Sequence, residues 1–192
     1  MKVLVIGAGG VGASMASIAE TRNFFDSFIL SDLSLARAQD AISKLDDPGK
    51  FVAEQVDARD EAAVKALIEK TRADIVVNAC DPRMNKPIFD AAFAASCHYI
   101  DLAMNLSEPH PTNPYGEVGT PLGHEQLAAS EAWKEKGLLA LVGMGVEPGL
   151  SDVFARYAAD NLFDTIDEIG VRDGSNLSID GLDFAPTFSI WT

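Results

Sequence analysis

The chain has 192 residues, which at roughly 100–200 residues per domain fits one domain, or one and part of another, and excludes a large multidomain enzyme. Its hydrophobic fraction of 47% and charged fraction of 23% are those of an ordinary globular protein and exclude disorder, collagen-like repeats and a coiled coil. A net charge of −14, with no basic cluster anywhere, repels phosphate backbones and anionic lipid, so neither nucleic acid nor a membrane is expected as a partner.

The first seven residues carry one positive charge and an apolar run that meets Gly7 before a signal-peptide core can form, and no stretch approaches the roughly 18 apolar residues of a membrane span. From there to about residue 145, short Val- and Ile-rich runs alternate with helix-period segments, the pattern of repeated βαβ units around a parallel sheet. Strands are expected over 2–6, 28–31, 51–56, 74–79, 98–101 and 138–142. Between them, Leu35, Ala38, Ile42 and Leu45 form the buried stripe of one helix and Val64, Leu67 and Ile68 that of the next. The segment 105–123 breaks the pattern: Pro109, Pro111, Pro114 and Pro121 with Gly116 and Gly119 predict a long loop, either a substrate-contacting lid or a plain surface insertion. Residues 148–162 read as an amphipathic helix with Val153, Phe154, Tyr157 and Ala158 on one face, followed by strand-like pieces at 166–172 and 184–191. The expected fold class is α/β: a doubly wound parallel sheet (Rossmann fold) over 1–150, with the beginning of a second α+β domain over 151–192. The last strand-like piece, ending at the terminus with nothing to pair against, is expected to belong to a truncated second domain; completing the sheet edge or pairing with another subunit is the alternative.

Gly7-Ala8-Gly9-Gly10-Val11-Gly12 follows the first strand and opens a helix, so the G-x-G-x-x-G spacing stands in the context that gives it meaning. Gly7 permits the tight turn, Gly9 lets a pyrophosphate approach the backbone, Gly12 lets helix and strand pack closely, and the helix N-terminus offers N–H donors to the diphosphate. A glycine-rich turn without a ligand is the alternative. About twenty residues on, Asp32-Leu33 ends the second strand where such folds present an acid to the adenosine ribose; this favours NAD, with Arg37 partly offsetting it for NADP. Asp32 or Ser34 can equally cap the following helix. Asp57-Ala58 ends the third strand within reach of an adenine, or Asp57 caps the next helix. Asn78-Ala79-Cys80 ends the fourth strand at the point where strand order reverses, so its backbone is expected to line the cofactor cleft.

Cys80 and Cys97 form no C-x-x-C pair, so no disulfide framework or structural zinc is expected, a reducing cytoplasm is the expected compartment, and Cys80 reads as a packed thiol before a nucleophile. His98, His110 and His124 lack the spacing of a metal site; no metal is expected, and His110 and His124 are the better candidates for substrate contact.

The fingerprint at 7–12, the strand end Val77-Asn78-Ala79-Cys80-Asp81-Pro82, His98-Tyr99-Ile100-Asp101 and above all Gly143-Met144-Gly145-Val146-Glu147-Pro148-Gly149 together resemble the saccharopine dehydrogenase family over nearly the whole chain. The G-x-[DE]-P-G run is the specific part. The resemblance implies an NAD(P)-dependent oxidoreductase of amino-acid metabolism, acting on a CH–NH bond by hydride transfer through an imine, in a family that includes carboxynorspermidine and lysine dehydrogenases. It implies a small amino-acid-derived substrate and a second domain carrying much of the substrate site and the contacts of a homodimer. Gly145 and Pro148 would border the cofactor, Asp101 and Glu147 are candidate proton carriers with structural roles as the alternative, and Arg83 and Lys86 are the nearest cations for a substrate carboxylate. The chain alone is expected to bind the dinucleotide with little turnover. A non-catalytic dinucleotide sensor is the competing function; a methyltransferase using S-adenosylmethionine is disfavoured by the N-terminal position of the first strand and the G-V-E-P-G run.

Overall fold

In the computed structural model, which describes residues 1–172, strand β1 (Lys2–Ile6) runs down the middle of a six-stranded sheet. β2 (Ser27–Asp32) and β4 (Ile75–Asn78) flank it, β3 (Phe51–Gln55) lies outside β2, and β5 (His98–Asp101) and β6 (Ala140–Leu141) lie outside β4. The order is β3-β2-β1-β4-β5-β6 with every neighbouring pair parallel, so strand order reverses between β1 and β4. The crossovers are helices α1 (Gly10–Glu20), α2 (Leu35–Ser43), α3 (Glu61–Thr71) and α4 (Asn85–Ala94), then α5 (His124–Ala128) and α6 (Ser130–Glu135). α7 (Leu150–Asn161) follows the sheet.

Because a strand alternates faces, β1 supplies two cores at once. Leu4 and Ile6 point to the side covered by α3 and α4, where they meet Val64, Leu67, Ile68, Val76, Ile88 and Tyr99. Val3 and Val5 point to the side covered by α1 and α2, with Phe28, Leu30, Ala16, Ala19 and Ala38. Burial on both faces is why the strands read as continuous apolar runs. On the first side Trp133 of α6 stacks on Phe89 and Phe93, with centroids 4.8 and 5.3 Å apart, and closes the core beyond β5.

The six expected strands all form; β4 is one residue shorter than expected at each end, and β6 and β3 end early for a visible reason. β6 keeps two of its five expected residues: the Leu139 N–H goes to His98 Nδ1 at 3.0 Å and the Gly143 N–H to Asp101 Oδ1 at 2.7 Å, so side chains take the donors that bracket the ladder. β3 ends at Gln55, and Val56 leaves it with its N–H on the Asp32 carbonyl at 3.0 Å. The segment 105–123 is a loop, pinched shut where Glu108 and Thr120 exchange backbone hydrogen bonds of 3.0 and 2.8 Å. The expected strand at 166–172 does not form. Its backbone meets no neighbouring strand among the described residues, and Ile166, Ile169 and Val171 are exposed. The expected strand at 184–191 lies outside the described residues. α7 begins at Leu150, two residues later than expected, and its apolar stripe of Val153, Phe154 and Tyr157 is exposed. Among the described residues no helix is long and apolar enough to cross a membrane.

Candidate functional site

The turn from β1 into α1 is built by close backbone approach. Gly7 has φ +108°, and a side chain there would sit 2.8 Å from the Ala79 carbonyl oxygen; a side chain at Gly12 would sit 1.8 Å from the Gly7 carbonyl oxygen. At Gly9 and Gly10 nothing lies within 4 Å of where a Cβ would be. α1 starts on Gly9 with no side-chain cap and no acidic residue in its first turn. Its first N–H groups therefore face open space carrying the positive end of the helix dipole, a cradle that fits a diphosphate.

Asp32 braces this turn from the end of β2. Its Oδ2 accepts the Ala8 N–H at 2.9 Å, its Oδ1 accepts the Ser34 N–H at 3.0 Å, and Arg37 Nη1 lies 3.6 Å away. Of the two capping candidates, Ser34 occupies the N-cap of α2 without a side-chain bond, and Asp32 ties the approach to it. A cleft of about 200 Å³ opens beside Asp32, where Gly7, Leu33, Asp57, Ala58 and Cys80 come together with Arg37 and Arg59. Asp57 is not the cap of α3; Asp60 is, accepting the Ala63 N–H at 3.0 Å. Asp57 instead holds Arg59 in a fork of 2.9 and 2.7 Å, and that guanidinium lowers the Asp57 carboxyl to about 2. Arg59 is a site residue that sequence reading missed, although its place two residues after a strand-end acid was a usable signal. Cys80 donates its thiol to the Ile6 carbonyl at 3.3 Å, and burial pushes it up to about 11, which leaves it protonated and unreactive near neutrality.

Beyond β4 and β5 the arrangement is a buried polar network. Asn78 donates to Asn85 Oδ1 at 2.7 Å, and Asn85 donates to the Ala103 carbonyl at 2.6 Å. Asp101 is fully buried; its carboxylate accepts from Tyr99 Oη at 3.0 Å, Gln126 Nε2 at 2.6 Å and the Gly143 N–H at 2.7 Å. Burial raises its carboxyl above the usual range, and those three donors pull it back down. Enclosed in this way, Asp101 anchors the loop that follows β6 rather than opening to the cleft. Asn85, Tyr99 and Gln126 also escaped sequence reading, since nothing in their local spacing marks them as partners. The turn 143–149 closes on itself through Gly145 N–H to the Pro148 carbonyl at 3.0 Å and Leu150 N–H to the Gly145 carbonyl at 2.9 Å, across a cis Glu147–Pro148 bond, leaving Glu147 exposed.

A second cavity, of about 400 Å³, lies between the start of α4 and the 105–123 loop, lined by Arg83 and Lys86 on one segment and by Glu108, His124 and Glu125 on the other. His110 lies elsewhere on the loop, 3.4 Å from Glu117, and His98 serves the β5–β6 edge. Among the described residues no group of three or more His, Cys, Asp or Glu is placed to hold a metal ion.

The family description "Saccharopine dehydrogenase NADP binding domain" matches residues 3–141. The chain is similar to the carboxynorspermidine synthase of Vibrio cholerae, 32% identical over 196 residues that cover 98% of this chain and 46% of that protein. It is similar to the carboxyaminopropylagmatine dehydrogenase of Synechocystis sp., 29% identical over 188 residues that cover 98% of this chain and 45% of that one. The chain thus spans about half the length of the curated relatives it matches. Among solved structures, apo saccharopine dehydrogenase (L-Glu forming) from Saccharomyces cerevisiae shares the fold, with a TM-score of 0.63 at 16% identity over 84% of this chain and 31% of that one.

Proposed function

This chain belongs to the saccharopine dehydrogenase NADP binding domain family, a nicotinamide-dinucleotide-binding domain of oxidoreductases, and from that membership we propose that it serves an oxidoreductase acting on the CH–NH bond of an amino-acid- or polyamine-derived substrate. The observation that carries the reading is the uncapped start of α1 over the open space at Gly9 and Gly10, with Gly7 and Gly12 admitting no side chain. There the N–H groups of Gly10, Val11 and Gly12 hold the diphosphate. Leu33, Asp57 and Ala58 border the adenosine, and the strand end at Asn78, Ala79 and Cys80, with Gly145 and Pro148, borders the nicotinamide half.

The family match favours NADP, where Asp32 read alone favoured NAD. Two features support that preference. Both Asp32 oxygens already accept backbone N–H groups, and Arg37 and Arg59 lie at the same cleft with donors to spare for a 2′-phosphate. When bound, the nicotinamide supplies or accepts a hydride. In the reductive direction an amine and a carbonyl compound condense with loss of water to an imine, the imine nitrogen takes a proton, and its carbon takes the hydride. Of the two carboxylates considered for that proton, Asp101 is enclosed by its three donors, which supports assigning the role to the exposed Glu147. Residues 151–192 lead into a substrate and dimerisation domain, a reading supported by the exposed apolar stripe of α7. The free thiols Cys80 and Cys97 fit a reducing cytoplasm.

Calorimetric titration of the chain with NADPH, NADH and S-adenosylmethionine tests this. NADPH binds tightest, and Arg37→Ala or Arg59→Ala weakens it about tenfold, near 1.4 kcal/mol, while NADH changes little. Tighter NADH binding reverses the cofactor preference; S-adenosylmethionine binding without nicotinamide binding overturns the function.

A further inference from the structure

β4 and β5 each end on a buried polar residue. Asn78 and Asp101 are the last residues of the two strands, lie opposite each other in the parallel register, and are 1% and 0% exposed. Apolar side chains of the same shape would fill this row with no polar group to desolvate, so what the polar pair adds is direction.

Both side chains are aimed at backbone that leaves a neighbouring strand. Asn78 Oδ1 accepts the Cys80 N–H at 2.9 Å, and its Nδ2 donates to Asn85, whose own Nδ2 donates to the Ala103 carbonyl at 2.6 Å. The exit of β4 is thereby tied, through the start of α4, to the exit of β5. Asp101 extends the relay by one strand: its Oδ1 accepts the Gly143 N–H at 2.7 Å, and its backbone carbonyl accepts the Met144 N–H at 2.9 Å. The turn held in this way is seated directly on the exit of β5, since a side chain at Gly145 would sit 2.3 Å from the Leu102 carbonyl oxygen.

The other oxygen of Asp101 sets its orientation. Oδ2 accepts from Tyr99 Oη at 3.0 Å and from Gln126 Nε2 at 2.6 Å, which turns Oδ1 toward Gly143. Tyr99 is fully buried, and Asn85 and Gln126 are nearly so. Among the described residues the buried side-chain atom left unpaired is Ser151 Oγ, which is not part of the relay. A polar network that is enclosed and fully satisfied is rigid, and rigid supporting contacts hold a binding surface in one geometry. In a sheet of this order a dinucleotide crosses the point where strand order reverses, so the half away from the adenosine lies over the exits of β4, β5 and β6. Those are the three exits that the relay joins.

We propose that Asp101 and Asn85 are positioning residues for the nicotinamide half: neither touches the cofactor, and together they hold the three strand exits that border it in one geometry before it arrives. This rests on the dinucleotide reading above and adds which buried groups set the seat of the nicotinamide. Loosened exits must be ordered by the ligand itself. That cost falls on a ligand carrying the nicotinamide half and not on one that ends at the adenosine.

Calorimetry of the full chain with NADPH and with adenosine 2′,5′-bisphosphate, which carries the adenosine half alone, tests this. Asp101→Asn turns one acceptor oxygen of the carboxylate into a donor, and Asn85→Ala removes the link between the β4 and β5 exits. Each weakens NADPH about fivefold or more, the cost of ordering a loosened side chain on binding, and leaves adenosine 2′,5′-bisphosphate within about twofold of the parent. Val64→Ala, a cavity in the core under α3, lowers the melting temperature and leaves the ratio of the two affinities unchanged. Should Asp101→Asn not fold, Tyr99→Phe makes the same comparison, because it takes one donor from Asp101 and keeps the ring. Equal weakening of both ligands, variants that bind NADPH like the parent, or a changed ratio in Val64→Ala overturns the proposal. The parent separates the two failures: a parent that binds NADPH without the expected split in its variants rejects the positioning role alone, and a parent that does not bind NADPH rejects the dinucleotide reading as well.

Discussion

Replacing Gln126 with leucine removes a clasp that holds two loops at once. Its Nε2 donates to the buried Asp101 carboxylate at 2.6 Å, and its Oε1 accepts the Asn105 N–H at 2.8 Å. A hydrogen bond to a charged group contributes about 1.5–3 kcal/mol and a neutral one about 0.5–1.5, so with water reaching the half-buried Asn105 the expected loss is about 2–4 kcal/mol. At this chain length that corresponds to a fall of about 4–16 °C in Tm. The loss depends on pH with a definite sign. Burial raises the Asp101 carboxyl and Gln126 is one of the donors holding it down, so the variant raises it further. A carboxyl whose folded value lies above its unfolded value contributes its stability in full below the unfolded value and loses it as pH rises through the folded one. The deficit of Gln126→Leu is therefore largest near pH 7 and shrinks as pH falls toward the carboxylate range. Gln126→Glu sets a second carboxyl against Asp101, loses more at pH 7, and recovers more steeply in acid because the pair can then share a proton. Thermal melts followed by circular dichroism across that pH range read all of this. A leucine variant within about 0.5 kcal/mol of the parent, the size of an ordinary surface change, or a glutamate variant indifferent to pH, refutes the clasp.

Gly12→Ala drives a methyl group to 1.8 Å from the Gly7 carbonyl oxygen and is expected to cost about 3 kcal/mol and abolish NADPH binding, whereas Gly10→Ala, with open space around it, leaves the denaturation midpoint unchanged. Trp133→Ala empties the aromatic cluster against Phe89 and Phe93 and costs about 3–5 kcal/mol in a urea titration; a smaller change would place the end of this core elsewhere. Cys80, with its thiol pushed up to about 11, reacts with a thiol reagent at pH 7.5 more than about 100-fold slower than an unperturbed cysteine, and rapid labelling of Cys80 in mass spectrometry would contradict its burial.

The strands and the glycine turn were legible in sequence because their signals are local. Val3 to Ile6 is apolar at every position, as a strand buried on both faces requires, and Gly12 is set by a backbone contact five residues back, at the Gly7 carbonyl. α7 was legible for the same reason, while 166–172 misled: its apolar residues favour a strand, but a strand exists only where another backbone accepts its hydrogen bonds. Asp32 and Asp57 were legible as positions at strand ends and illegible as chemistry. Which lone pairs Asp32 keeps depends on Ala8, 24 residues away, and the state of Asp57 on whether Arg59 folds back onto it.

The sequence by itself determined the α/β alternation, the glycine turn at Gly7–Gly12 and the family resemblance carried by Gly143–Gly149, because each is written in residues adjacent along the chain. Only the tertiary structure decided that Asp101 is a buried anchor, that Arg59 joins the cleft beside Asp32, and that Arg83 and Lys86 face Glu108 and Glu125 across a cavity. Gln126 and Gly143 lie 25 and 42 residues from Asp101. Contacts at that separation arise from strand register and helix docking, which are properties of the packed core and not of any local pattern.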